Sequence, residues 1–354
     1  MATRPLTFAY PAPIITAGPR ARCPFRSEIP QDIRPPGPAY ARGVRPLRFG
    51  LSASTTASRR EWQELARRAE AAGFDVLQVA DHLDECLPPL TALCSAADVT
   101  ERLHVGTLTV NNDFRHPVVL AREAATVALL TDGRFELGLG AGYNRREYDQ
   151  VGLPYDPAST RVSRLAESVE VIRRLLDGEE LTFRGAHYRV SGHRVYPLPP
   201  RRPRLLIGGN GDRLLTVAAR QADVVGFAGG GPSRDGVRLS TSGMTAAGLA
   251  DRVALVRERA GARFDALDLH VLIQFVIVTD QRRRGAEDPA RRFGFTADQV
   301  LDSPFFLIGT PLQMADALRE RQERFGVNYW TVFARRPGSE QTAETLAPVI
   351  AHLR

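Results

Sequence analysis

The sequence predicts an α/β fold, specifically a (β/α)8 TIM barrel with loop insertions and a Pro-rich N-terminal extension. Three observations predict it. Strand-like and helix-like segments alternate from Leu47 onward. Eight strand segments can be counted, each followed by helical material. The 354 residues, 43% of them hydrophobic, are enough for one large core. A doubly wound open sheet is the rival, and the G-x-G-x-x-G turn it needs after its first strand is missing.

Residues 1–45 come first, as an arm in which eight prolines between Pro11 and Pro38 forbid regular structure. Residues 46–354 form the barrel domain. Leu47 to Ser52 (LRFGLS) reads as the first strand, and Arg59 to Ala72 as a helix stopped at Gly73. Asp75 to Asp81 is the second strand, followed by a helix from Pro88 to Val99. The third strand is Leu103 to Val110, followed by a helix from Pro117 to Leu130; the fourth is Arg134 to Gly140 (RFELGLG). A helix from Thr160 to Leu176 leads to a polar excursion, 177–202, with the character of a hairpin. Arg204 to Gly208, Val224 to Ala228, Leu269 to Thr279 and Asn328 to Ala334 complete the strands. Helices run from Asp212 to Gln221, between Thr245 and Leu269, from Thr310-Pro311 to Phe325, and at the C-terminus. Gly229 to Thr245 and Asp280 to Ala297 read as long irregular stretches that roof a pocket.

Composition narrows the function. A charged fraction of 25% excludes a disordered chain, and no apolar run approaches the length of a membrane helix. The first thirty residues hold no apolar block of signal-peptide length, so a cytoplasmic location is expected. Cys23, Cys86 and Cys94 are too scattered for a disulfide framework or a metal knuckle. The histidines show no ligand-type pairing, so no metal is expected. All 47 basic residues are arginine, which reads chiefly as codon bias behind the net charge of +7. With no lysine, a Schiff-base aldolase, a pyridoxal-phosphate enzyme and a Walker-A loop are excluded. The arginines are spread along the chain, which speaks against nucleic acid as a partner.

Barrel chemistry belongs at the strand carboxyl ends. Strand two ends in Asp81-His82, an imidazole that titrates near neutral pH beside a carboxylate. The alternative is that Asp81 caps the next segment and His82 fills a wall. Strand three ends in Asn111-Asn112, whose amides could grip a planar polar ligand. His116, before Pro117, reads as a helix cap. Strand four ends in a glycine run, Gly138 to Gly142, that would let a ligand close to the backbone. Strand five ends in Gly208-Gly209-Asn210-Gly211-Asp212 directly before a helix. Exposed N–H groups and a positive helix end then meet at one place, which suits a phosphate, with Arg213 adding charge.

These stretches resemble the bacterial luciferase-like monooxygenase family, in its coenzyme F420-dependent branch. Val105 to Tyr148 (VGTLTVNNDFRHPVVLAREAATVALLTDGRFELGLGAGYNRREY) is similar to its most characteristic block, supported by Ala69 to His82 and Arg202 to Asp223. The resemblance covers nearly everything from Leu47 to Ala334. It implies that His82 handles protons at the reactive face of the cofactor and that Asp81 contacts the cofactor. Leu108-Thr109 falls where such members have a non-proline cis peptide. Asn111, Ala141 and Gly142 match ring and linker contacts, and Gly208, Gly209, Gly211 and Asp212 match the phosphate loop. Two departures make oxidation of glucose 6-phosphate doubtful: Tyr143 stands where a glutamate is usual, and Leu83-Asp84-Glu85-Cys86 lacks the usual tryptophan. Tyr143 is then either a proton donor or, the preferred reading, a substrate-pocket wall. The resemblance implies an oxidoreductase that uses F420 for hydride transfer to or from a small organic substrate, through reduction of C=C or C=N. The alternatives are an FMN monooxygenase supplied by a separate reductase, and a non-catalytic flavin-binding barrel. A homodimer is the family habit.

Overall fold

The structure is a computed structural model in which residues 45–84, 86–232, 239–334 and 343–354 are described. All but the last residue of the Pro-rich arm, together with Cys23, fall outside that set. Eight parallel strands close into a ring: β1 (Arg48–Ser52), β2 (Val76–Val79), β3 (His104–Thr107), β4 (Phe135–Gly140), β5 (Arg204–Gly209), β6 (Val224–Phe227), β7 (Asp268–Leu272) and β8 (Tyr329–Phe333). Chain order is ring order, with β3 on β4 through Val105↔Phe135 and β1 on β8 through Arg48↔Tyr329. The expected TIM barrel is therefore what the chain forms.

The helices pack outside. They are α1 (Arg59–Ala71), α2 (Pro89–Ala97), α3 (Pro117–Leu130), α4 (Arg145–Val151), α5 (Ala158–Leu176), α6 (Asp212–Gln221), α7 (Ala246–Ala260), α8 (Arg282–Phe293), α9 (Ala297–Asp302), α10 (Pro311–Phe325) and α11 (Ala343–Leu353). Their ends follow local chemistry. Ser58 caps α1 by accepting from the Glu61 amide, and Gly73 (φ +86°) reverses the chain beyond it. Thr310 and Gln313 form a capping box on α10. Among the described residues no helix is long and apolar enough to cross a membrane.

Three expectations need correction. The third strand is not continuous, because β3 stops at Thr107 and the chain re-pairs with β4 only at Val110–Asn111. The seventh breaks after Leu272, and Phe275–Val278 instead pairs with Phe306–Gly309 as a separate two-stranded sheet. Asp280 to Ala297 is mostly helix α8, not an irregular stretch. Gly285 and Pro289 look like breakers, yet Ala286, Pro289 and Ala290 are buried. A Cβ on Gly285 would sit only 3.1 Å from Ile308 Cγ2, so that glycine serves close packing. The excursion after α5 is the expected hairpin, Leu181–Arg184 with Arg189–His193.

Inside the ring the amino ends of the strands are ionic. Arg48 donates to Glu136 at 2.6 Å, Arg204 to Asp268 at 2.6 Å, and the Tyr329 hydroxyl to Glu136 at 3.3 Å. Above them Thr331 donates to Gln78 at 2.7 Å and lies 2.9 Å from His270 Nε2. Since the only Thr331 proton goes to Gln78, His270 Nε2–H is the donor to Thr331, and Nδ1 keeps the lone pair. That nitrogen is buried without a partner. At the carboxyl ends of β4 and β5 stand glycines instead: Gly138, Gly140, Gly208 and Gly209.

Candidate active site

Because all eight strands are parallel, every segment leaving a carboxyl end opens on one mouth. Asp81-His82 follows β2, Leu108 to Asn111 follows β3, Ala141-Gly142 follows β4, and Gly208 to Asp212 closes β5 and opens α6. These four strands are consecutive in the ring, so the sequence-predicted residues form one arc of the rim.

His82 is held by a residue that sequence reasoning missed. Its Nδ1 lies 2.6 Å from Glu147 Oε1, and Glu147 is 2% exposed. A carboxylate this deep needs donors, and the His82 Nδ1–H supplies one. Nε2 is then the ring's basic nitrogen. Glu147 stands on α4, and the Asn144 side-chain amide also donates to it. The Tyr143 ring meets His82 edge-on at 5.8 Å, and the Tyr143 carbonyl accepts from Tyr155 at 3.0 Å. Tyr143 is 59% exposed. Cys86, four residues past His82, sits against Ser54 and the His82 backbone, and burial pushes its thiol up. It is therefore a poor nucleophile.

Asp81 turns inward. Its carboxylate takes both terminal nitrogens of Arg115, the second at 3.2 Å, and the Asn111 amide at 3.1 Å. It thus braces the end of β2 against the loop after β3, a use of this carboxylate that the sequence did not disclose. Asn111 is 7% exposed, and its carbonyl accepts from Tyr148 Oη and from the Asp113 amide, each at 3.1 Å. Burial pushes the Tyr148 hydroxyl well above its ordinary value, so it remains a donor. Gly142 (φ +72°) packs on this pair: a Cβ there would lie 2.0 Å from Tyr148 Oη and 2.7 Å from Asn111 Oδ1. The Leu108-Thr109 peptide is cis, as the resemblance implies. Thr109 fills the space that three glycines vacate, since a Cβ on Gly140 would meet Thr109 Oγ1 at 2.5 Å, and Gly138 and Gly208 also face it. His116 accepts from the Val118 amide at 3.3 Å and caps α3, the bland role expected of it.

The loop from Gly208 to Asp212 divides its labour. A Cβ on Gly209 would strike Leu214 at 2.8 Å, so this glycine lets α6 approach β5. Gly211 faces open space, with nothing within 4 Å of a Cβ, and no side chain caps the first turn of α6. Among the described residues, the first N–H groups of this ten-residue helix therefore take no capping side chain. An uncapped helix start suits a ligand phosphate, whereas the space over the glycines of β4 and β5 is taken by Thr109. Asp212 sits in that first turn and Arg213 beside it, both exposed.

Glu147 and Arg115 were not singled out from the sequence. For Glu147 a signal existed: Asn144-x-x-Glu147 has the spacing of a helix start. Nothing local marks Arg115 as the partner of Asp81, because that pairing spans 34 residues.

Comparison with known proteins supports the same reading. The profile of the luciferase-like monooxygenase family matches residues 44–328. An F420-dependent glucose-6-phosphate dehydrogenase of Nakamurella multipartita is 34% identical over 251 residues, 67% of this chain and 70% of that protein. One from Microbacterium testaceum is 34% identical over 190 residues, 50% of this chain and 55% of that protein. In fold, the coenzyme F420-dependent tetrahydromethanopterin reductase of Methanopyrus kandleri superposes with a TM-score of 0.70 at 18% identity, covering 88% of this chain and 100% of that one. A closed parallel barrel, a rim assembled from β2 to β5 and a profile match over most of the chain lead to one assignment: the chain belongs to the luciferase-like monooxygenase family of enzymes.

Proposed function

We propose that this protein is an F420-dependent oxidoreductase that reduces a C=C or C=N bond of a small organic substrate, with His82 handling the proton. The observation that carries the reading is the His82–Glu147 pair on the same rim as the uncapped start of α6. F420 supplies, when bound, a carbon that takes up or releases hydride, and it is a poor partner for oxygen.

The chain's own residues do the rest. The backbone amides of Gly208, Gly209, Gly211 and Asp212 hold the phosphate at the positive end of α6. Asn111, Ala141 and Gly142, backed by Leu108 and Thr109, bound the ring. Glu147 fixes the His82 ring and keeps Nδ1 protonated, so the mobile proton is carried at Nε2. Reduction consumes one proton from His82 for each pair of electrons; oxidation of an alcohol would return it there. Tyr143 forms the wall beside His82. Tyr143 stands where a glutamate would be expected for glucose 6-phosphate, and Leu83-Asp84-Glu85-Cys86 lacks the expected tryptophan, which favours a different substrate from that of the named relatives.

The test is a fluorescence-quenching titration of the purified protein with F420 and with FMN. Micromolar binding of F420 without FMN supports the reading, and the opposite pattern transfers it to a flavin monooxygenase. No turnover with any acceptor would leave a binding barrel. The homodimer and a separate cofactor-regenerating reductase belong to this proposal too, the first to be read from sedimentation.

A further inference from the structure

Arg252 lies on α7, outside the arc described above, yet its guanidinium meets three rim segments at once. Nη1 donates to the Ala228 carbonyl at 2.8 Å and to Asn210 Oδ1, Nη2 donates to the Gly243 carbonyl, and Nε donates to Gly248 at 2.9 Å. Asn210 passes the link on, its amide donating to the Gly230 carbonyl at 3.0 Å. Arg252 therefore ties the loop after β5, the end of β6 and the approach to α7 into one unit. It is 8% exposed.

All four of these acceptors are neutral oxygens. Arg48, at the other end of the barrel, faces Glu136, whereas among the described residues no carboxylate pairs with Arg252. Burial draws its pKa down to about 10, so it remains charged at neutral pH. The rings of Phe227 and Phe305, with centroids 5.7 and 5.6 Å away, supply only weak compensation. A buried cation without a counter-charge is costly, and an anion arriving nearby relieves that cost. Asn210, which Arg252 grips, lies inside the Gly208–Asp212 loop at the carboxyl end of β5.

We infer that Arg252 is a positioning residue that supplies the fixed positive charge behind this loop and makes the site select a phosphorylated ring cofactor over its unphosphorylated counterpart. The inference rests on the phosphate reading of the loop and extends it to a residue outside the rim motifs.

The experiment compares dissociation constants for F420 and for the 5-deazaflavin that carries only the ribityl chain, in wild type, R252K and R252Q. The expected result is a wild-type preference for F420 of 100-fold or more, reduced at least 10-fold in R252Q and kept within 3-fold in R252K. Binding of the unphosphorylated ring stays within 3-fold throughout. Arg252→Met, apolar with a stem of similar length, replaces R252Q if the latter does not fold. An unchanged preference in R252Q or Arg252→Met overturns the inference, as does equal weakening of both ligands, which marks a merely structural role. A loss in R252K as deep as in R252Q assigns the effect to the forked geometry and also overturns it. Failure of the wild type itself to prefer F420 would instead refute the phosphate reading.

Discussion

His82 has two ring nitrogens with different tasks, and the difference is set by one carboxylate. Nδ1 is spent on Glu147, so in the proposed reaction proton exchange falls to Nε2. His82→Ala should lower kcat by about 10²- to 10⁴-fold, the usual yield of general acid–base catalysis, while the F420 dissociation constant stays within a few-fold. Glu147→Gln keeps the volume and removes the charge. It should cost about 10- to 100-fold in kcat, the usual scale for a residue that orients another, with little change in cofactor binding. Steady-state kinetics beside fluorescence titration checks both, and full turnover in His82→Ala would remove the imidazole from the chemistry. Gly142 answers to packing. Gly142→Ala at φ +72°, with its Cβ 2.0 Å from Tyr148 Oη, should cost roughly 2–4 kcal/mol in urea unfolding. His82 could be read directly from Asp81-His82. Glu147 could not, because its importance comes from a contact 65 residues away in sequence.

Among the elements, α6 offers the cleanest test of the phosphate loop. Gly211 precedes the helix with ordinary extended torsions (φ −81°, ψ 145°), and a side chain there meets nothing. Gly211→Asp should therefore stabilise the fold slightly, by roughly a few tenths of a kcal/mol, as a better N-cap. The same carboxylate would occupy the amides meant for phosphate and place a negative charge before them. F420 affinity should then fall at least about tenfold, a loss of roughly 1.4 kcal/mol or more. Calorimetry should show a raised melting temperature, and titration a weakened complex. A variant that binds F420 as wild type does would place the phosphate elsewhere. Elements whose signals were local agreed with the sequence, as in α1 between Ser58 and Gly73 and α10 behind Thr310-Pro311. Where it misled, tertiary packing had overruled a local cue. Pro289 reads as a helix breaker, and α8 forms through it because its apolar side is buried. The strand through Leu108 looks continuous, and the chain turns out of β3 there so that Thr109 can reach the glycines of β4 and β5.

At the scale of the whole molecule, the ionic and polar layers inside the barrel tie stability to pH. Burial depresses His270 from 6.5 to about 3, because a proton on its unpartnered Nδ1 would have to be buried with it. Above pH 6.5 both folded and unfolded chains hold this histidine neutral, and it contributes no slope. Below that value only the unfolded chain takes up the proton, so stability falls with pH until about 3. One proton corresponds to about 1.4 kcal/mol per pH unit, or about 2 kcal/mol between pH 6.5 and 5. Burial pushes Glu136 up, but Arg48 and Arg204 outweigh it and hold the carboxyl at about 2. Its stabilisation is present above pH 4.5 and is lost as pH falls from there toward 2. Denaturant titrations at pH 7, 6 and 5 should show the first decline, and His270→Asn should lose one proton's worth of slope even if it is less stable at pH 7. An unaltered slope in that variant would assign the decline to other groups.

The sequence by itself determined the barrel, its eight strands in order and the four strand ends that make the rim. Strand and helix alternation, glycines and caps act within a few residues, and a parallel ring leaves little choice about which ends share a mouth. Only the tertiary structure decided which groups pair across that rim: Glu147 with His82, Arg115 with Asp81, and Arg252 with the loop before α6. Those partners lie 34 to 65 residues apart in the chain. Their meeting depends on closure of the ring and on the burial that makes a polar group without hydrogen-bond partners costly.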